Sequence, residues 1–151
     1  MERPGGRIKV FVDTSVIIAG LASVTGASGT VLDLCEAGVI QMVISRQVLV
    51  EADRNISSKL PRITRRFRSF VKGLAPLMLE DPSQASVERC GRFVHSKDAA
   101  ILAAALEAEA EYLVTLDKRH FLKVPLPPSV PIRVVQPAQF LGEFERLCLQ
   151  E

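Results

Sequence analysis

Short apolar runs recur along this chain, and each is followed by a segment with the spacing of a helix. The runs occupy residues 8–12, 39–44, 77–79, 112–115 and 131–135. Runs that lack polar alternation are typical of strands covered by helices on both faces of a sheet. Strands that alternate with helices favour parallel pairing. The pattern therefore predicts an α/β fold, a three-layer α/β/α arrangement around a central parallel sheet of four to five strands.

The segments between these runs predict the helices. After a short first helix, helices are expected over residues 30–37, 46–58, 62–73, 83–92 and 97–110, and from residue 137 onward. Gly38 stands where a glycine often ends a helix, and Ser45 and Ser96 are suited to cap the helices that follow them. Pro137 is suited to the first position of the last helix. Residues 118–129 read as a basic, proline-rich loop.

The composition limits the class of protein. A chain of 151 residues with 48% apolar residues is expected to form one domain, residues 1–151 with a core of about 8–148. Aromatic residues make up 5% and tryptophan is absent, which argues against a base-stacking platform for single-stranded nucleic acid. The net charge of +2 is too small to identify a nucleic-acid partner by itself.

Cysteine spacing and hydropathy indicate the compartment. The three cysteines are far apart, which argues for buried thiols in a reducing compartment and against a disulfide framework or a zinc site. No signal-type segment stands at the N-terminus, and no run approaches the roughly 18 apolar residues of a membrane span. We expect a soluble cytoplasmic protein with no membrane partner.

Two carboxylates stand out because each directly follows an apolar run. Asp13 follows the first predicted strand and Asp117 follows the fourth. With the strand order 3-2-1-4-5, strands 1 and 4 flank the topological switch point, and both carboxylates meet at the edge where ligands bind. Two desolvated carboxylates side by side need a cation or a shared proton. A metal site is one interpretation, and helix caps or ordinary loop carboxylates are the other.

Other charged residues leave alternatives open. Asp98 lies in the first turn of its predicted helix, where an acidic residue complements the helix dipole. Glu51 and Asp53 both fall at the margin of the apolar side of their helix, so periodicity does not choose between them. Residues 54–79 contain seven basic residues and no acidic one, which fits either a solvated helix face or a phosphate-contacting surface.

Four stretches match a known pattern in order and spacing: residues 10–16, 45–51, 97–105 and 113–117. On these stretches the sequence resembles the PIN-domain family, in particular its toxin-type (VapC-like) bacterial and archaeal members. The resemblance covers about residues 8–135. Each stretch is unspecific alone, and the four together are fairly specific.

The resemblance implies an endoribonuclease that depends on Mg²⁺ or Mn²⁺ and is the toxin of a toxin–antitoxin pair. It assigns both catalysis and metal binding to four carboxylates: Asp13, Glu51, Asp98 and Asp117. It selects Glu51 over Asp53, and it places the hydroxyls of Ser15 and Thr115 near the metal in a supporting role. A donor set of carboxylates without histidine or cysteine suits Mg²⁺ or Mn²⁺ and argues against zinc.

Partners follow from the same resemblance. RNA is the implied substrate, an antitoxin protein the implied binding partner, and a homodimer the common assembly of relatives. The candidates for contact with the RNA backbone are basic side chains: Lys97, Lys118, Arg119, Arg65 and Arg66. Relatives often have a proline shortly before the third acidic residue and a further carboxylate beside the third or fourth. This chain has neither feature, which argues against binding of a second metal ion more than against binding of the first.

The sequence leaves one main alternative to the enzyme and argues against two other classes of protein. A non-catalytic PIN-like module that binds RNA or protein within a larger assembly is the main alternative to the enzyme. A haloacid-dehalogenase-type phosphatase would need an aspartate two residues after Asp13, where this chain has Ser15. Residues 26–30 are not followed by the lysine and hydroxyl residue of a P-loop.

Overall fold

The fold is built around a single parallel sheet. The computed structural model describes residues 7–74, 77–79 and 81–150, without the side chains of residues 77–79, 119 and 120. Its strands are β1 (Lys9–Val12), β2 (Gln41–Ser45), β3 (Leu77–Leu79), β4 (Tyr112–Val114) and β5 (Arg133–Val135). Each neighbouring pair is parallel and the order is β3-β2-β1-β4-β5. The predicted fold class and strand order are confirmed.

Helices connect the strands. They are α1 (Thr14–Ala22), α2 (Ala27–Glu36), α3 (Arg46–Lys59), α4 (Thr64–Leu74), α5 (Gln84–Cys90), α6 (Ala99–Glu107), α7 (Lys118–Phe121) and α8 (Pro137–Leu149). Helix α1 packs against α2 and α3, α5 packs against α6, and α2 also contacts α8. Strands β1 and β4 lie at the centre, and all their residues except the half-buried Lys9 are buried, as their mostly apolar sequences predict.

The register of the two central strands determines which residues meet at the carboxyl edge. Val12 pairs with Val114, so the residues that follow them leave the sheet side by side. The backbone N–H of Asp13 donates to the carbonyl of Val114 at 3.0 Å. The N–H of Thr115 donates to the carbonyl of Val135 at 3.0 Å, which extends the ladder toward β5. Asp13 and Thr115 therefore stand at the topological switch point between β1 and β4.

Several helix ends form as the sequence predicts. The side chain of Ser45 accepts a hydrogen bond from the N–H of Val48 at 3.3 Å and caps α3. Gly38 adopts φ +74 just after α2, a left-handed conformation that favours glycine. Pro137 occupies the first turn of α8, where its missing N–H costs no helical hydrogen bond.

The predicted cap of the alanine-rich helix is wrong. Residues Ser96–Asp98 form one turn of 3-10 helix, and α6 begins at Ala99 with Asp98 as its N-cap residue. The N–H of Asp98 donates to the carbonyl of His95 at 2.8 Å, and this tighter turn takes the place of a Ser96 cap. The helix also ends earlier than predicted, at Glu107.

Three other boundaries differ. Helix α2 begins at Ala27, three residues before the predicted start at 30. Residues Pro61–Ile63 form a separate 3-10 turn ahead of α4, since Pro61 starts a new helical turn. The segment predicted as a loop from residue 118 contains the short helix α7.

The core is aliphatic with a small aromatic cluster. Phe140 on α8 is fully buried and meets the ring of Tyr112 edge to face, with ring centroids 5.0 Å apart. Phe144 stacks on Phe140 at 5.8 Å. This cluster fixes α8 against β4 and thereby supports the strand that delivers Thr115.

Within the described ranges, no single helix has the length and apolarity to cross a membrane. The consecutive helices α1 and α2 meet those criteria only when taken as a pair, and they are bent by 98° relative to each other.

Candidate active site

Asp13 is the most strongly held carboxylate at the carboxyl edge. Its Oδ1 accepts a hydrogen bond from the N–H of Thr14 at 2.8 Å, and this contact caps α1. Its Oδ2 accepts from Thr115 Oγ1 at 2.8 Å and from Ser15 Oγ at 3.2 Å. Burial raises the pKa of Asp13, the three hydrogen bonds oppose that rise, and the charge of Glu51 adds to it. Asp13 is therefore a desolvated charge that a nearby cation would stabilise.

Two hydroxyl residues join the ends of β1 and β4. Thr115 is fully buried, and its Oγ1 also accepts a hydrogen bond from the N–H of Asp117 at 3.2 Å. Ser15 Oγ accepts from the N–H of Leu116 at 3.2 Å. The hydroxyl residues predicted for a supporting role thus contact Asp13 directly and tie it to the backbone that carries Asp117.

Helix α3 presents Glu51 to the start of α1. Glu51 Oε2 accepts a hydrogen bond from Thr14 Oγ1 at 3.2 Å, and its Oε1 accepts from Gln47 Nε2 at 3.3 Å. Asp53 instead lines a groove between α3 and α4, together with Phe67. The two acidic residues that periodicity could not separate therefore lie in different surroundings, and Glu51 is the one beside Asp13.

Asp98 belongs to the same electrostatic group. Burial is the main cause that raises its pKa, and the charges of Asp13 and Glu51 raise it further. The charges of Lys97 and His95 act in the opposite direction. Asp98, the N-cap residue of α6, therefore interacts electrostatically with Asp13 and Glu51.

Asp117 is positioned by the backbone. It is exposed and forms the N-cap residue of α7, directly after the end of β4. Its N–H contact with Thr115 places the start of α7 beside the Asp13 carboxylate. Of the four predicted carboxylates, Asp13, Glu51 and Asp98 are coupled electrostatically, and Asp117 is connected through Thr115.

The chemistry of these donors can be compared with what a metal ion requires. In residues 7–74, 77–79 and 81–150, no three histidine, cysteine, aspartate or glutamate side chains converge closely enough to hold one ion. The donors at the edge are carboxylate and hydroxyl oxygens, which suit hard divalent cations. Mg²⁺ often binds through one or two carboxylates and keeps several waters. The residues therefore fit an ion bound by Asp13 and a neighbour, and a four-carboxylate site stays a prediction.

The predicted RNA-contacting cations have different environments. Lys97 is exposed next to Asp98, and Lys118 lines a cavity of about 690 Å³ beyond Asp117. Arg65 is exposed on α4 and lines a separate cavity of about 410 Å³. Arg66 Nη1 donates to the carbonyl of Leu21 at 2.7 Å, so this side chain fastens α4 to the end of α1. The side chain of Arg119 lies outside the described residues.

Sequence reasoning missed two residues that hold Glu51. Gln47 precedes Glu51 by one helical turn, so its contact could have been found from the spacing. The hydroxyl of Thr14 is buried and comes from a different helix, and its contact with Glu51 requires knowledge of how α1 and α3 pack.

Solved structures with the same fold are numerous, although their sequences are distant. PAE2754 from Pyrobaculum aerophilum matches with a TM-score of 0.62 and 16% identity, covering 92% of this chain and 90% of that one. VapBC from Salmonella typhimurium, solved bound to DNA, matches with a TM-score of 0.57 and 22% identity, covering 86% and 98%. VapC20 from Mycobacterium tuberculosis, described as a toxin that cleaves the sarcin-ricin loop, matches with a TM-score of 0.53 and 17% identity, covering 76% and 98%.

The sequence itself identifies the family to which this chain belongs. No curated protein sequence matches the chain significantly. The sequence profile described as "PIN domain" matches residues 9–119, a span that begins with β1 and ends just after Asp117. This chain therefore belongs to the PIN domain family.

Proposed function

We propose that the chain is a PIN-type endoribonuclease that uses Mg²⁺ or Mn²⁺, with Asp13 at the centre of its metal site. The observation that carries the proposal is the buried Asp13 carboxylate, which Thr14, Ser15 and Thr115 hold by hydrogen bonds and which interacts electrostatically with Glu51 and Asp98. Like charges gathered at a partly buried edge cost folding free energy unless a cation is recruited there. Asp13 and one neighbour among Glu51, Asp98 and Asp117 would bind the ion directly, with water completing its shell.

When bound, the ion would stabilise negative charge on the phosphate and lower the pKa of a bound water. The residues of the chain prepare the site for this. The backbone N–H of Thr14 and the hydroxyls of Ser15 and Thr115 fix the orientation of the Asp13 carboxylate. Thr14 and Gln47 do the same for Glu51. Ligands held in advance lose less conformational entropy when the ion and substrate bind.

RNA must approach an edge that is rich in negative charge. Lys97, exposed and next to Asp98 in sequence, and Lys118, half-buried and next to Asp117, would contact phosphates of the RNA. Their charges would offset the repulsion between the carboxylates and the RNA backbone. The hydrolysis would break one P–O bond of the backbone by addition of water.

The proposal includes the role of toxin in a toxin–antitoxin pair. The structures of VapBC from Salmonella typhimurium and VapBC2 from Rickettsia felis, both solved with DNA, support this role by sharing the fold. An antitoxin protein would then be the natural partner, and a homodimer in the cytoplasm the working form. Growth arrest on expression, relieved by the product of a neighbouring small gene, would be the corresponding test in cells.

RNA cleavage with Mn²⁺ tests the enzymatic proposal. We expect cleavage by the wild type, loss of cleavage on addition of a chelator, and a decrease of at least about 100-fold in Asp13→Asn. This is beyond the 10–100-fold typical of residues that only orient a ligand. The matched control is Asp33→Asn, the same substitution at an exposed position of α2.

Two outcomes would overturn the proposal. Cleavage that persists in the chelator would remove the metal from the reaction. Undiminished cleavage by Asp13→Asn would remove Asp13 from the active site. If the wild type binds RNA without cleaving it under any metal condition, the chain is instead a non-catalytic binding module.

A further inference from the structure

A mixed basic and apolar groove continues from the carboxyl edge past β5. It has a volume of about 690 Å³, within the range of about 300–1,000 Å³ typical of ligand sites. Its walls are formed by α7, the segment after it, β5 and the residue that follows β5. Among the described residues, the lining includes Lys118, Lys123 and Arg133 and no acidic residue. This groove is separate from the carboxylates but begins at the residue next to Asp117.

We propose that this groove is a subsite for the nucleotide that flanks the cleaved phosphate in a single-stranded RNA. The inference rests on the proposed function and specifies the path of the substrate. It predicts that the RNA strand leaves the carboxylates alongside Asp117 and follows α7 toward β5.

The groove is continuous with the candidate site. Lys118 directly follows Asp117 and is half-buried at the mouth of the groove. On the other side, Gln136 Nε2 donates to the carbonyl of Leu116 at 3.4 Å and also lines the groove. The groove therefore adjoins the same end of β4 that carries Asp117. An RNA strand bound at the carboxylates would continue directly into it.

The charges and the apolar surface of the groove also suit a nucleotide. Lys118 and Lys123 both line the groove, and their ammonium groups can each contact a backbone phosphate. Arg133 is held by Glu143 at 2.6 Å, so its charge is partly neutralised and the two lysines carry most of the attraction. Val124, Pro125 and Leu126 form an apolar wall against which a ribose or base could pack. Among the lining residues that the structure describes none is aromatic, so the expected contacts are to the backbone phosphates and to the apolar wall and do not include base stacking.

The test compares the binding of a labelled single-stranded oligoribonucleotide by two double variants, each made in the Asp13→Asn background so that the RNA stays intact. The groove variant is Lys118→Gln with Lys123→Gln. The control is Arg92→Gln with Arg146→Gln, which removes the same charge from exposed positions outside the groove. Thermal melting of both variants verifies that they fold, as expected for surface substitutions.

Loss of two phosphate contacts should lower the slope of log affinity against log salt by about 1.4, since single strands give about 0.7 for each contact. The affinity ratio between parent and groove variant should consequently shrink about sevenfold between 50 and 200 mM salt. The control should keep the parental slope. Cleavage of the same RNA by the otherwise wild-type groove variant should fall in parallel with its weaker binding.

The outcomes separate this inference from the proposed function. If the groove variant binds with the parental affinity and slope while the wild type cleaves RNA, the subsite is disproved and the nuclease stands. If the wild type neither binds nor cleaves RNA, both are overturned. If groove and control variants lose affinity equally, the effect is one of net charge and the groove is not a specific subsite.

Discussion

Replacement of Thr115 by valine would test whether the hydroxyl that joins β1 to β4 holds the carboxylate edge together. Valine keeps the shape of this fully buried side chain and removes its oxygen. The change deletes the donor of the 2.8 Å bond to Asp13 and the acceptor of the Asp117 N–H. A hydrogen bond to a charged group contributes about 1.5–3 kcal/mol. Since Asp117 is exposed and water can solvate its N–H, we expect a total loss of about 2–3 kcal/mol.

The assay is urea denaturation of the metal-free protein near neutral pH, supported by thermal melting. A loss of this size corresponds to a decrease in Tm of roughly 4–12 °C for a chain of this length. The matched control is Thr30→Val on α2, where the hydroxyl donates to the carbonyl of Gly26 at an exposed site. The control should change the free energy of unfolding by less than about 0.5 kcal/mol.

The pH dependence gives the prediction a second check. The hydrogen bond from Thr115 lowers the pKa of Asp13 relative to the variant that lacks it, and burial keeps that pKa raised overall. The stabilisation by Thr115 is therefore present while Asp13 is ionised and is lost as the pH falls through its folded pKa. The cost of Thr115→Val should shrink on acidification. A cost no larger than that of Thr30→Val, or one independent of pH, would refute the reasoning.

The remaining predictions concern packing and one ion pair. Gly29→Ala should destabilise the fold although alanine favours helices, because its Cβ would lie 2.5 Å from the carbonyl oxygen of Val24. Gly142→Ala has open space around its Cβ and should stabilise the fold by about 0.5–1 kcal/mol. Urea denaturation measures both changes in the free energy of unfolding, and the opposite sign for either would contradict the described packing. The hydrogen bonds from Arg133 lower the pKa of Glu143, so the contribution of this pair should be complete at pH 7 and disappear as the pH falls below about 4.5. Because Arg133 is 58% exposed, Glu143→Gln should cost less than about 1 kcal/mol at pH 7, and an undiminished cost at pH 3 would contradict the assignment.

The sheet could be predicted because its central strands are apolar on both faces. Residues 10–12 and 112–114 are apolar without polar alternation, which favours strands covered on both faces, and Asp13 and Asp117 come shortly after the ends of those strands. Strands 1 and 4 are neighbours if the strand order is 3-2-1-4-5, and the prediction assumed that order. The pairing of Val12 with Val114 confirms that they are neighbours.

The candidate site was harder to predict, because Glu51 and Asp98 come from the helical segments of the chain. A helix positions a side chain through its rotation about the helix axis, and the apolar stripe of α3 left Glu51 and Asp53 equally near its margins. The family resemblance chose Glu51, and the contact with Thr14 shows the physical reason for its position. Asp98 likewise had an ordinary explanation as a helix-dipole partner, and the family resemblance was what assigned it to the site; the charges of Asp13 and Glu51, which raise its pKa, agree with that assignment.

The failed cap at Ser96 shows a limit of local sequence patterns. Ser96 and Asp98 are both good N-cap residues, two positions apart. The choice between them depends on the tight turn that begins with the carbonyl of His95. Tertiary packing of α6 against α5 and β2 selects that turn, and the sequence near the cap does not encode it alone.

The most direct test of the account is the anomalous difference density of Mn²⁺ in crystals of the protein grown with that ion. If Asp13 binds the metal, a peak should lie within about 2.0–2.6 Å of one of its carboxylate oxygens, the range for oxygen-ligated divalent ions. The peak should be absent from crystals of Asp13→Asn. A second ligand from Glu51, Asp98 or Asp117 is expected, with water completing the shell. A peak that persists in Asp13→Asn, or no peak at the Asp13 carboxylate at a Mn²⁺ concentration that supports RNA cleavage, would contradict the central claim.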